Sequence, residues 1–273
     1  MATRIACAER GGTFWTQGEA LKIVLDRDAE LAPVALVAAQ GASVETAEAL
    51  AAGTVEFGFM AANWVPRAVA GEPPFKEPVD LRVVAPMNVG PLFFIVRADG
   101  HIRSVADLAG RRVVFGPEKS GMTQHARGML AMLGIEATPL YLDFAGGGAA
   151  LERGAADAQL QCPIPNRVMT ELSERAAIRV LPYAPGQLER LLAAVPYYRA
   201  VVMRRGALRG LTEDVAQAGV LNVLVAHARL PDRLVQRAAH AIAAGADELA
   251  ALNPLFAGLG ALLREPGDTR LIT

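Results

Sequence analysis

Residues 111–134 read RRVVFGPEKSGMTQHARGMLAMLG. Residues 113–115 are a short apolar run, as a buried strand would be. Residues 116–121 are rich in turn formers. From Met122 onward Ala126, Met129, Leu130 and Leu133 recur at helical spacing, and Gly134 stands where a helix would stop. The reading is strand, tight loop, helix. A helix entered that way turns its free N–H groups and the positive end of its dipole toward the space above the strand. A carboxylate or phosphate suits that place. Ser120 and Thr123 add hydroxyls, and Gly121 lets a ligand approach the backbone. The plainer alternative is an ordinary strand-to-helix turn whose serine caps the helix and binds nothing.

A chain of 273 residues has room for one large or two smaller domains. With 52% hydrophobic and 20% charged residues it belongs among packed globular proteins. The net charge is −1, and no Lys/Arg cluster suggests a nucleic-acid surface. No run approaches the ~18 apolar residues of a membrane span. Cys7 and Cys162 each lack a neighbouring cysteine, which excludes a thiolate zinc cluster and argues against a disulfide framework. His101, His125, His227 and His240 show no metal-ligand spacing. No signal peptide is visible after Met1. The chain is therefore either cytoplasmic or preceded by a removed targeting segment.

Periodicity predicts strands over 4–8, 33–38, 55–60, 81–86 and 91–96, with helices over 17–25 and from Ser43 to residue 52. Ser43 reads as the N-cap of the second helix. The pattern then restarts. A short helix over 104–108 precedes a strand over 112–115, the pivotal helix, and a strand over 138–142. A helix over 146–153, a strand over 156–161, a helix over 168–175 and a strand over 179–181 follow. The chain closes with a helix over 187–193, strands over 198–203 and 220–226, and one long helix over 231–249. Alternating strands and helices imply an α/β protein with parallel sheets covered on both faces.

In open α/β sheets ligands bind beyond the carboxyl ends of the strands. The loops there are residues 11–17, 40–45, 61–64, 86–89, 116–123, 143–147 and 161–166. They supply Thr13, Phe14, Trp15, Gln17, Ser43, Val44, Asn63, Trp64, Asn88, Ser120, Gly121, Met122, Thr123, Phe144, Gln161 and Pro163 as candidate ligand contacts. Small polar groups and aromatics suit binding. No nucleophile with a base and no paired carboxylates stand among them, so no catalysis is expected. Cys162 has no partnered histidine in the sequence, and His125, one turn into the pivotal helix, reads as a packed or solvent-facing residue.

The segment IRSVADLAGRRVVFGPEKSGMTQHARGMLAMLGI, residues 102–135, resembles the second-lobe entry of class II periplasmic binding proteins. More specific are GGTFWTQGEAL at 11–21, QGASVETAEALAAGTVEFGFMAANW at 40–64, and the run from PYY at 196–198 to RLPDRL at 229–234. These resemble the TAXI receptors, the solute-binding subunits of one class of TRAP transporters. The chain departs from that pattern at Met122, Thr46 and Asn63–Trp64, where ligand would be read. The resemblance implies a two-lobe fold, each lobe a mixed, mainly parallel sheet flanked by helices, with a two-stranded hinge. Residues 1–103 plus 190–273 would form one lobe and 104–189 the other, with ligand in the cleft. It implies a periplasmic monomer that captures a small, anionic organic solute and hands it to TRAP permease subunits. No cofactor, metal, nucleic acid or direct membrane insertion is implied. The alternatives are an ABC-importer receptor of the thiamine-pyrimidine-precursor type, or a ligand sensor or enzyme on the same fold, cytoplasmic if Met1 is the native start.

Overall fold

Apolar runs and helical stretches alternate through the chain as elements. The computed structural model describes residues 2–8, 10, 12–39, 41–118, 120–162 and 167–265. In order they form β1 (Thr3–Cys7), α1 (Thr13–Leu25), β2 (Val34–Ala38), α2 (Ala42–Ala52), β3 (Phe57–Ala61), a 3₁₀ turn (Ala62–Trp64) and α3 (Val65–Ala70). Next come β4 (Leu81–Arg97), a 3₁₀ turn (Val105–Leu108), β5 (Arg112–Val114), α4 (Gly121–Leu133), β6 (Thr138–Leu140), α5 (Phe144–Glu152), β7 (Ala158–Gln161) and α6 (Arg167–Arg175). The last are β8 (Ile178–Val180), α7 (Gln187–Ala194), β9 (Tyr198–Met203), β10 (Val215–His227), α8 (Asp232–Ala244), α9 (Ala246–Leu252), a 3₁₀ turn (Pro254–Phe256) and α10 (Leu259–Leu262). Among the described residues no helix is long and apolar enough to cross a membrane.

The chain divides into two compact units, Met1–Val89 with Val220–Thr273, and Gly90–Gly219. In the first, β1 lies between β2 and β3 and pairs parallel with both, and β10 pairs antiparallel with β3. Successive strand residues face opposite sides. Phe57 and Phe59 therefore join Ile5, Leu21, Leu25, Leu224, Ile242 and Phe256 in one apolar core. Gly58, between them, faces Thr46 of α2. Each such large apolar side chain, fully buried, stabilises the fold by roughly 1.5–3 kcal/mol relative to its exposed state. In the second unit, β5 pairs parallel with β6 and β7, while β7 and β8 pair antiparallel with β4. Phe93, Ile95, Met169, Leu172, Val180 and Met203 are the centre of its core.

The divisions at 89/90 and 219/220 differ from those that the family resemblance implied, 103/104 and 189/190. The cause is that β4 and β10 are long. β4 is one strand of 17 residues, not the two strands over 81–86 and 91–96. Pro86 and Pro91 read as breakers, but the antiparallel pairing of β4 with β7 begins only at Phe93. Pro91 thus needs to donate no hydrogen bond to that ladder. The predicted helix over 231–249 is two helices with Gly245 between them. A Cβ at Gly245 would lie 2.8 Å from Val24 Cγ1, so the glycine admits close approach to α1. α1 begins at Thr13, four residues before the predicted 17, because Gly12 supplies an extended N-cap that no polar side chain announces.

Candidate functional site

In the first unit three side-chain amides meet. Gln17 lies on α1, Asn88 on β4 and Asn222 on β10, and they are 0%, 3% and 6% exposed. Gln17 Nε2 donates to Asn88 Oδ1 at 3.2 Å, and Asn222 Nδ2 donates to the same oxygen at 3.1 Å. Gln17 Oε1 and Asn88 Nδ2 find no partner among the described residues. A buried polar atom left unpaired costs about 1–3 kcal/mol, a cost that a bonded water or ligand atom would relieve. Ala61 stands opposite Asn222 in the β3–β10 ladder. Two residues on, buried Asn63 also keeps its Oδ1 unpaired.

Ser43 is not the N-cap of α2. That position belongs to Gly41, followed by Ala42 at φ +48°, a left-handed conformation in which an alanine is strained. Ser43 Oγ accepts from the N–H of Ala61 at 3.0 Å, tying α2 to the end of β3. Val44 is half-buried on the same turn.

The aromatic candidates are built into the unit more deeply than loop residues would be. Thr13, Phe14 and Trp15 form the first turn of α1. Phe14 stacks on Phe59 at 5.5 Å between ring centres. Trp64 is 8% exposed, edge-on to Phe75. Trp15 is half-buried; its indole N–H donates to Glu19 at 2.9 Å, and the Arg10 guanidinium lies 4.9 Å from its ring centre. Trp64 is thus a core plug, and Trp15 is the tryptophan that retains an open face.

In the second unit Ser120 caps α4, accepting from the N–H of Thr123 at 3.3 Å. Thr123 Oγ1 lies 2.9 Å from the carbonyl of Pro117 and donates to it. Gly121 and Met122 open the helix, and Gly134 closes it at φ +70°. Phe144 opens α5 behind an Asp143 cap, and its carbonyl accepts from Gln159 Nε2 at 3.0 Å. Gln161 is fully buried at the end of β7, and neither of its amide atoms finds a partner among the described residues. Pro163 lies outside the described residues. His125 is buried, with Nδ1 2.9 Å from the Tyr198 hydroxyl; burial holds its pKa down at about 4 and lifts that of Tyr198 above the usual range. Burial also raises the Cys162 thiol to about 12, a poor state for a nucleophile. Among the described residues no cluster of His, Cys, Asp or Glu is arranged to hold a metal ion.

The structure therefore brings Gln17 and Asn88 together, joins Ser120 to Thr123, and gives Phe14 and Trp64 packing roles. Sequence reading missed Asn222, Gln159 and Arg10. Asn222 carries a signal, being the one polar residue in the apolar run VLNVLVA at 220–226. Arg10 sits just outside the loop taken to begin at residue 11.

A family model described as NMT1-like matches residues 5–261. Among solved structures the chain resembles the periplasmic aliphatic sulphonate binding protein SsuA from Escherichia coli. They share 17% identity over 99% of this chain and 82% of that one, with a TM-score of 0.59. A TctC solute binding protein from Polaromonas is similar at 15% identity, 96% and 88% coverage and a TM-score of 0.59. The periplasmic sulfonate-binding protein SsuA of a sulfonate ABC transporter from Methylobacillus flagellatus gives 16%, 92% and 69%, and 0.61. At these identities the likeness is one of fold.

Proposed function

The chain belongs to the NMT1-like family, and from that premise we propose that it is an extracytoplasmic solute-binding protein. It captures a small organic solute and presents it to membrane permease subunits, without catalysis. The observation that carries this reading is that each unit keeps buried side-chain amides with an unmet hydrogen-bonding atom among the described residues, Gln17 and Asn88 in the first and Gln161 in the second. They stand in a fold shared with proteins named for solute binding. The capped first turn of α4, with Ser120 and Thr123, would hold an anionic group of the solute, and Trp15 would cover an apolar part. The stretches GGTFWTQGEAL and QGASVETAEALAAGTVEFGFMAANW favour TRAP permease subunits of the TAXI type as the partner. The named likeness to a sulfonate ABC transporter's binding protein favours an ABC importer as the second reading.

Mass spectrometry of small molecules released from the purified, denatured protein tests capture. A stoichiometric organic solute that on re-addition raises the melting temperature is expected. A hundredfold excess over Kd adds about 2.7 kcal/mol. Reproducible turnover of a metabolite, abolished by one substitution among the candidate residues, would refute the non-catalytic reading. Reconstitution with TRAP or with ABC membrane subunits distinguishes the two partners.

A further inference from the structure

The amide cluster of the first unit specifies what kind of group it can hold. A side-chain amide brings one carbonyl, an acceptor, and one NH2, a donor. Within the cluster Asn88 Oδ1 takes N–H groups from both Gln17 and Asn222. What remains unmet is one donor, Asn88 Nδ2, and one acceptor, Gln17 Oε1. Turning all three amides over exchanges oxygen for nitrogen. The unmet pair is then the Asn88 carbonyl and the Gln17 NH2, again one of each kind. No amide orientation that keeps both hydrogen bonds leaves a set of donors only.

The neighbouring side chains are neutral amides and a hydroxyl, and the hydroxyl of Ser43 can still donate its own hydrogen. Asn63 Oδ1 is unmet, and Ser43 Oγ already accepts from Ala61. No Lys, Arg, Asp or Glu side chain bonds to Gln17, Asn88 or Asn222 among the described residues. A carboxylate or sulfonate offers acceptors alone. It would satisfy Asn88 Nδ2 and set its negative charge against the Gln17 carbonyl, with no Lys or Arg bonded to the cluster among the described residues. A neutral group with a donor and an acceptor side by side satisfies both.

Resting on the solute-binding reading above, we propose that the Gln17–Asn88–Asn222 cluster is a subsite for a neutral donor-plus-acceptor group. A carboxamide, ureide or vicinal hydroxyl pair fits it, and an anion does not. Any anionic group of the solute is then held outside this cluster.

The test is a thermal-shift and calorimetric screen of the intact chain against a defined set of small solutes. The set holds matched pairs that differ by one carboxylate replaced with a carboxamide, such as succinate and succinamate. Ureas, polyols and alkanesulfonates complete it. The expected result is that the tightest binders contain the neutral group. Within a pair, the member bearing one carboxamide should bind about tenfold or more tighter than the all-carboxylate member. Gln17→Met, close in shape and without hydrogen-bonding atoms, should erase that preference. Far-UV circular dichroism checks that the variant folds, and the preference of the unmodified chain is decisive without it. If solutes bearing only carboxylate or sulfonate groups bind tightest in the unmodified chain, the subsite is refuted and solute capture stands. If no solute in the set binds and none co-purifies, solute capture itself fails and the subsite with it.

Discussion

His125 offers a quantitative handle on the second unit. It is 7% exposed, against the Tyr198 hydroxyl, and burial lowers its pKa from 6.5 to about 4. A histidine that stays neutral when folded and charges when unfolded gives the unfolded chain the extra proton between those values. Stability therefore rises with pH across that window and is lost as pH falls through it. Below the folded value the loss would approach about 3 kcal/mol, at ~1.36 kcal/mol for each tenfold difference in proton affinity. Between about pH 7.5 and about pH 5 the part due to His125 is about 2 kcal/mol by the same linkage. Carboxylates with lowered pKa, such as Glu56 and Asp157, lose their contribution further down.

The variant to compare is His125→Asn, whose amide oxygen can stand near the position of Nδ1 and which has nothing to protonate. Urea unfolding of both proteins at the two pH values isolates the histidine, because every other group is common to both. The spectroscopy suits the question. All four tyrosines, at 141, 183, 197 and 198, lie in the second unit, and both tryptophans, Trp15 and Trp64, in the first. Near-ultraviolet signals can thus follow each unit separately. The variant should be less stable near neutrality, from its smaller side chain, yet lose about 2 kcal/mol less on acidification, and only in the tyrosine-reported transition. Equal acid sensitivity in the two proteins would refute the burial argument for His125.

Three further outcomes follow from other parts of the fold. Gly58→Ala should destabilise the first unit by about 1–3 kcal/mol, since its Cβ would lie 2.3 Å from Thr46 Cγ2. Thr46→Ser removes that methyl and should recover part of the loss in a double-mutant cycle by urea unfolding. Ser120→Ala should cost α4 about 1 kcal/mol through the lost cap, whereas Ser120→Asp keeps the cap. If an anion binds there, calorimetry should show Ser120→Asp weakening the co-purified solute far more than Ser120→Ala does; equal affinity for Ser120→Asp and the unmodified chain would sink that placement. Cys7 is fully buried, with its thiol raised to about 12. Peptide mapping after iodoacetamide should find it unmodified in the native protein and alkylated in urea.

What was legible in the chain was local. The strand–loop–helix at residues 111–134 stands as read, down to the Ser120 cap and the Gly134 stop, because each signal lies within a few residues of its effect. The alternation of strand and helix was legible for the same reason. Errors arose where a distant neighbour overrode the local rule. The break at Gly245 exists because Val24 lies against it, and nothing within the segment says so. Ser43 looks like a cap and instead binds the backbone of Ala61, 18 residues away. Trp64 meets Phe75 edge-on, a contact that the segment around it does not announce.

The amide cluster is the extreme case of this rule. Its bonds join residues 71 and 134 positions apart, so no window of sequence contains it. Its members could be noticed singly, Gln17 and Asn88 as polar residues near strand ends, Asn222 as an interruption in an apolar strand. Their joint meaning depends on which atoms are used up by one another. A sequence shows that amides are present. Only the geometry shows that Asn88 spends its carbonyl on two neighbours while its NH2 and the carbonyl of Gln17 stay unmet among the described residues. The subsite we propose follows from that arrangement, one unmet donor and one unmet acceptor in the first unit.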